Sequence, residues 1–100
     1  MSAALIILQQ LGGGRFIAMT GANSLVGGPT ELQFHLPARF ARNGINCVRV
    51  HLSADDTYLV SFYKVAKRGL QVKVVSTFEQ VYCDQLRSLF TSETGLAVSL

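Results

Sequence analysis

The sequence lacks the residue patterns that usually identify an enzyme, a metal site or a nucleotide site. No Gly-Lys-Ser or Gly-Lys-Thr is present, and no cysteine or histidine pair has the C-x-x-C or H-x-x-x-H spacing of a zinc site. His35 and His51 could act as general bases, with Ser53, Asp55 or Asp56 nearby in the sequence, but no nucleophile elbow or Cys/His signature accompanies them. We therefore expect a protein that is not an enzyme and that uses no cofactor and no metal.

Charge is also scarce. Of the 100 residues, 15% are charged and 49% are apolar, so few polar residues are left to cover the surface. A chain of this length makes one domain with one hydrophobic core, here residues 1–100. We expect some apolar surface to stay exposed as an oligomer interface or a partner-binding surface. A homodimer paired through sheet edges is one such arrangement.

Long hydrophobic runs and disulfide patterns are missing too. The apolar run Met1–Leu11 has no basic region before it and is far shorter than the roughly 20 residues that span a bilayer. Its leucine spacing predicts a core helix instead. Cys47 and Cys83 fall on different predicted elements at no motif spacing. We expect no membrane contact and a reducing, cytoplasmic environment.

Three glycines, Gly12–Gly14, are predicted to end the N-terminal helix, because glycine adopts the left-handed conformation of a helix C-cap. They follow a helix and precede the strand-like Arg15–Thr20, whereas a phosphate-binding loop follows a strand and opens a helix. The next segment, Gly21–Thr30, is rich in turn-forming residues and is predicted to be a loop of about ten residues. A loop of this kind is either functional or a plain connection.

Alternation of apolar and polar residues predicts four strands: Glu31–Leu36, Cys47–Ser53, Thr57–Ala66 and Leu70–Val75. A helical turn over Ala38–Asn43 is expected between the first two. Ser76 and Glu79 have the spacing of a capping box, which predicts an amphipathic helix over Phe78–Thr94. The resulting fold class is α+β: an N-terminal helix, an antiparallel meander of about five strands, and a C-terminal helix on one sheet face.

The same alternation assigns side chains to the two faces of the sheet. The inward set is Leu32, Phe34, Leu36, Val48, Val50, Leu52, Tyr58, Val60, Phe62, Leu70, Val72 and Val74. The outward set is Gln33, His35, Arg49, His51, Ser61, Tyr63, Gln71 and Lys73. The outward set is typical of a platform for single-stranded nucleic acid, where bases stack on rings and cations follow the backbone. Such platforms usually carry two or three aromatic residues, and Tyr63 is the one convincing case here, so the set is more typical of an ordinary solvated sheet face.

The net charge of +3 is unevenly distributed. No acidic residue lies between Thr57 and Phe78, nor between Glu31 and Asp55, while seven basic residues do. These stretches predict either a surface that attracts phosphate or a solvated hairpin tip. The candidate contact residues are Arg49, Tyr63, Lys64, Lys67, Arg68 and Lys73, with His35, His51, Arg39 and Arg42 as secondary candidates.

Four segments resemble a group of small uncharacterised proteins of tailed phages and prophages. They are LGGGRFIAMTGA at 11–22, LQFHLP at 32–37, NGIN at 43–46 and DQLRSLFTSETGL at 84–96. The resemblance covers nearly the whole chain but carries no activity and no functional residue. It implies a mobile-element protein in the bacterial host cytoplasm, where many products of this size bind nucleic acid or inhibit host machinery.

Two functional hypotheses follow. The first, slightly favoured by the acid-free hairpin, is a module that binds nucleic acid or a nucleoprotein complex. The second, favoured by the high apolar content, is a protein-binding inhibitor of a host defence or other host complex. An uncharacterised structural or oligomeric phage protein is a further alternative.

Overall fold

A computed structural model describes residues 3–37, 41, 44–65 and 72–96. Its elements, in chain order, are α1 (Ala3–Leu11), α2 (Gly13–Thr20), β1 (Asn23–Gly27), β2 (Glu31–His35), β3 (Cys47–Leu52), β4 (Tyr58–Val65), β5 (Val72–Val81), a 3-10 turn (Cys83–Gln85) and α3 (Leu86–Thr94). The predicted helical turn at 38–43 lies, apart from Ala41, outside the described residues. Within the described part of the chain, no helix is long and apolar enough to cross a membrane.

The strands form one antiparallel sheet in the order β1-β2-β3-β4-β5. Helix α1 packs on β1 and β2 and also contacts α2 and α3. The predicted α+β class and the meander topology are therefore confirmed. The strands predicted from β2 to β4 agree with the structure to within one residue at each end.

Three phenylalanines hold the helices against the sheet. Phe16 on α2 lies between Phe34 on β2 and Phe90 on α3, with ring centroids 5.2 Å from each. The two contacts are edge-to-face, a favoured geometry for aromatic pairs. All three side chains are almost completely buried. Because these rings come from three separate elements, they fix which sheet face the helices cover.

The segment Arg15–Thr20, predicted to be a strand, is instead part of helix α2. Gly12 and Gly13 both have positive φ, which lets the chain break after α1 and start a second helix. The Thr20 hydroxyl donates a hydrogen bond to the Phe16 carbonyl, and Gly21 ends the helix in the left-handed conformation. The β-like composition of this segment is overridden by the burial of Phe16 in the core.

The predicted loop 21–30 contains the edge strand β1. Its register shifts by one residue near Ser24, which has a φ of 52°, so this strand shows no clean alternation. At Gly27, an added Cβ would lie 2.7 Å from the Cβ of Ala4. This glycine therefore lets helix α1 approach the edge of the sheet.

The predicted helix start at Phe78 and the capping box at Ser76 and Glu79 are wrong. Strand β5 continues to Val81, with Phe78 opposite Val60. The Ser76 hydroxyl instead donates a hydrogen bond of 2.8 Å to Glu93 on α3. Local spacing favoured a helix here, but pairing with β4 provides hydrogen-bond partners for the backbone groups of β5 that face that strand.

The inward orientation predicted for Val72 and Val74 is also wrong. An extra residue, Val75, is inserted between Ser76, which pairs with Phe62, and Val74, which pairs with Tyr63. This bulge moves both valines to the face of Tyr63, where each is 56% exposed. Leu70 and Gln71 lie outside the described residues. Elsewhere the predicted inward residues are buried, except Leu52, which is half-buried against the core.

Candidate functional site on the open sheet face

The described helices pack on one face of the sheet, and the opposite face is the candidate site. Two rows of side chains cross this open face in register. Gln33, Arg49, Ser61 and Thr77 make one row, and His35, Cys47, Tyr63 and Val74 make the next. The outward orientation predicted for residues on β2, β3 and β4 therefore agrees with the strand pairing.

Two shallow hollows adjoin on this face. The smaller, of about 220 Å³, is lined by Arg49, His51, Leu59, Ser61 and Tyr63. The larger, of about 430 Å³, is lined by Gln33, His35, Cys47, Arg49, Tyr63, Val65 and Val72. Arg49 and Tyr63 belong to both hollows and so form the wall between them. The smaller hollow has about as much polar as apolar surface, and the larger is mostly apolar.

Arg49 is already engaged with an acidic side chain. Its Nε donates a short hydrogen bond to the carboxylate of Glu31 on the neighbouring strand, and both side chains stay partly exposed. The hydrogen bond and the charge of Glu31 raise the pKa of Arg49, with a smaller effect of the same sign from Tyr63. The guanidinium is therefore positively charged at any physiological pH, and the Glu31 carboxylate offsets part of its charge.

The other polar groups of the hollows differ in their surroundings. His51 Nδ1 lies 3.4 Å from the hydroxyl of Thr30, close to the limit for a hydrogen bond. Cys47 is buried in the floor of the larger hollow, and burial raises the pKa of its thiol. Cys47 is therefore an uncharged, weakly nucleophilic group at neutral pH.

Among the described residues, no group of three or more His, Cys, Asp or Glu side chains could hold a metal ion.

The predicted basic surface is divided between the two faces. Lys64 and Lys73 pair directly across β4 and β5. Because Lys64 follows Tyr63 along β4, strand alternation places both lysines on the face opposite Tyr63. The outward assignment of Lys73 alongside Tyr63 is therefore wrong, and the bulge at Val75 is the reason. Lys67, Arg68, Arg39 and Arg42 lie outside the described residues.

The lysines and the open-face aromatic residue nevertheless share one end of the sheet, called here the basic end: Lys64, Lys73, Tyr63 and His35. Asn46, before β3, donates a hydrogen bond of 2.9 Å to the carbonyl of Val65, and its side-chain oxygen accepts one of 2.7 Å from the Val65 amide. Asn46 therefore ties the start of β3 to the end of β4, a role that its sequence position did not signal.

The opposite end of the sheet is acidic. Asp55 and Asp56 form the turn between β3 and β4, and Glu79 lies near the end of β5. Hydrogen bonds from the hydroxyl and the amide of Thr57 lower the pKa of Asp55, so its carboxylate is fully charged at neutral pH. Asp55, Asp56 and Glu79 thus lie at one end of the sheet and the described lysines at the other, while Glu93 on α3 meets β5 nearer the lysines, at Ser76.

Comparisons of the chain with protein-family models, with curated proteins and with solved structures found no match. The resemblance to small phage and prophage proteins therefore stays a prediction. Function has to be argued from the geometry of the sheet and its charges.

Proposed function

We propose that this protein acts without catalysis by binding nucleic acid, free or within a nucleoprotein complex, through the basic end of the sheet and the adjoining open face. One observation carries the proposal: Lys64, Lys73 and Tyr63 occupy the same end of the sheet, while Asp55, Asp56 and Glu79 occupy the other. This separation gives a polyanion one favoured place to approach.

The chemistry of the open face supports a single strand over a duplex. An open sheet face with a partly exposed tyrosine, Tyr63, offers a ring on which an unpaired base can stack. Arg49 on this face offers positive charge to phosphates, although Glu31 offsets part of it, and Lys64 and Lys73 add charge at the same end of the sheet from its other face. The bases of a duplex are stacked on each other and are not available to such a face.

The test is a titration of labelled single-stranded DNA, RNA and duplex DNA at two salt concentrations, read by fluorescence anisotropy. Single strands should bind more tightly than the duplex, and affinity should fall as salt rises because each phosphate contact releases counterions. The double variant Lys64→Gln, Lys73→Gln should weaken binding and reduce the slope of log K against log salt by roughly 1.4 for a single strand.

Arg15→Gln is the matched control for the single variants Lys64→Gln and Lys73→Gln, because Arg15 is exposed on α2, away from the open face. It removes one positive charge without touching the site, so its affinity should stay close to that of the unaltered protein. Absence of binding to all three probes, or equal losses from the control and from each lysine variant, would contradict the proposal.

A second candidate function rests on the two exposed valines. Val72 and Val74 lie next to Tyr63 and Val65 on the open face, and such a cluster suits a protein partner. The protein would then act by occlusion, as an inhibitor of a host defence or other host complex. This function predicts no affinity for bare nucleic acid, together with capture of a host protein that the Val74→Ser variant loses.

A further inference from the structure

Arg49 binds the Glu31 carboxylate in this structure, and the groups around it suit a phosphate in place of that carboxylate. Its Nε holds the Glu31 carboxylate at the edge of the smaller hollow. Ser61 and His51, which line the same hollow, add a hydroxyl and an imidazole. Guanidinium, imidazole and hydroxyl groups are common donors to phosphate oxygens. The smaller hollow therefore has phosphate-binding chemistry, with Glu31 as its internal competitor.

The larger hollow suits an aromatic ring. Tyr63 forms its shared wall, and Val65, Val72 and the buried Cys47 provide apolar surface. Gln33 and His35 stand at the same hollow with groups that donate and accept hydrogen bonds. A nucleobase is a planar heterocycle with apolar ring faces and a polar edge. Its faces suit the apolar side chains of this hollow, and its edge suits the hydrogen-bonding groups of Gln33 and His35.

We infer that the two hollows together form a site for one nucleotide unit, with the base against Tyr63 and the phosphate at Arg49. In the bound state the phosphate displaces Glu31 from the guanidinium. The inference rests on the proposed function and deepens it: the lysines attract the strand, whereas this site holds one of its nucleotides. Glu31 lowers affinity, because a phosphate must replace an existing ion pair rather than meet a free cation.

The experiment uses the full-length protein and four small probes: uridine monophosphate, adenosine monophosphate, uridine and inorganic phosphate. Binding is followed by amide chemical shifts in two-dimensional NMR spectra. The nucleotides should bind more tightly than uridine or phosphate, with shifts on β2, β3 and β4 around Arg49 and Tyr63. Equal affinity for phosphate and for the nucleotides would overturn the inference.

Two acid variants separate competition at Arg49 from a general charge effect. Glu31→Gln and Glu79→Gln each remove one negative charge, but Glu79 lies outside both hollows. Nucleotide affinity should rise several-fold in Glu31→Gln and much less in Glu79→Gln. Equal increases in the two variants would show that only the net charge matters and would overturn the role of Glu31.

Tyr63→Leu tests the base position, because it keeps an apolar side chain but removes the ring. It should weaken nucleotide binding roughly tenfold while leaving phosphate binding unchanged. A matching spectrum for residues on α1 and α2 verifies that the variant is folded. An unchanged nucleotide affinity in a folded variant would place the base elsewhere and overturn the inference.

Failure of the inference and failure of the proposed function give different results. If oligonucleotides bind in a lysine-dependent manner but no mononucleotide shifts the open-face residues, the nucleotide site is wrong and the proposed function stands. If neither oligonucleotides nor mononucleotides bind, both are wrong.

Discussion

The surroundings of Asp55 favour its charged form. It accepts hydrogen bonds from Thr57 Oγ1 at 2.6 Å and from the Thr57 amide at 3.3 Å, which lower its pKa. Because the folded pKa is lowered, this stabilisation is complete above the ordinary Asp pKa of about 3.9 and is lost as pH falls through the folded value. Thr57→Val keeps the shape of the buried side chain but removes the hydroxyl.

In Thr57→Val the pKa of Asp55 should rise toward its ordinary value, as measured by an NMR pH titration of the side-chain carboxyl carbon. The difference in stability between the variant and the unaltered protein should shrink in acid, where the carboxyl is protonated. Thr57→Ser retains a hydroxyl and serves as the control. An Asp55 pKa that is the same in all three proteins would show that the hydroxyl bond does not act on the carboxylate.

The two cysteines differ in exposure, which predicts different reactivity. Cys83 is exposed, whereas Cys47 is buried and its pKa is raised by that burial. Alkylation by iodoacetamide at neutral pH should therefore modify Cys83 first, and Cys47 should react mainly after unfolding. Mass spectrometry of timed samples measures both rates. Cys83→Ser is the control, since it should abolish the fast reaction, and comparable rates at both thiols would contradict the buried position of Cys47.

At the scale of single elements, the bulges decide which features the sequence could predict. Strands β2, β3 and β4 alternate regularly, so their bounds and their faces could be read from the apolar positions. Strand β5 contains extra residues, one at Val75 and one near Gln80, and each reverses the alternation beyond it. Arg49 and Tyr63 could therefore be placed on the open face, whereas Lys73 and Val74 were assigned to the wrong faces.

Gln80 occupies a backbone conformation that favours glycine, with a φ of 53°. Gln80→Gly should stabilise the fold by about 1 kcal/mol, because glycine adopts positive φ without the steric penalty of a Cβ. The free energy of unfolding from urea titrations measures this change. Glu79→Gly, at the neighbouring extended position, should instead destabilise by about 0.5–1 kcal/mol. Equal destabilisation by both changes would contradict the positive φ at Gln80.

At the scale of the whole molecule, the described helices cover one face of the sheet, and the other face is the open one on which the proposed binding site lies. The helices and their phenylalanines cover one face, so the buried residues of this core are separated from the open face by the thickness of the sheet. Changes to the open-face residues Arg49 and Tyr63 are therefore expected to affect binding more than stability. This separation is what makes variants at the two hollows interpretable as tests of function.

The phenylalanine cluster gives the corresponding test of stability. Phe90 is 2% exposed and contacts Phe16 and Phe34, which belong to α2 and β2. Phe90→Ala should lower the free energy of unfolding by about 3–5 kcal/mol, because it leaves a cavity where three elements meet. Leu5→Ala, at a side chain that is 53% exposed on α1, should change it by no more than about 0.5 kcal/mol. Urea titrations of both variants measure the difference, and similar losses would contradict the arrangement of α3 over the sheet. A folded but destabilised Phe90→Ala protein should keep its affinity for the open-face ligand, because no atom of Phe90 lines either hollow.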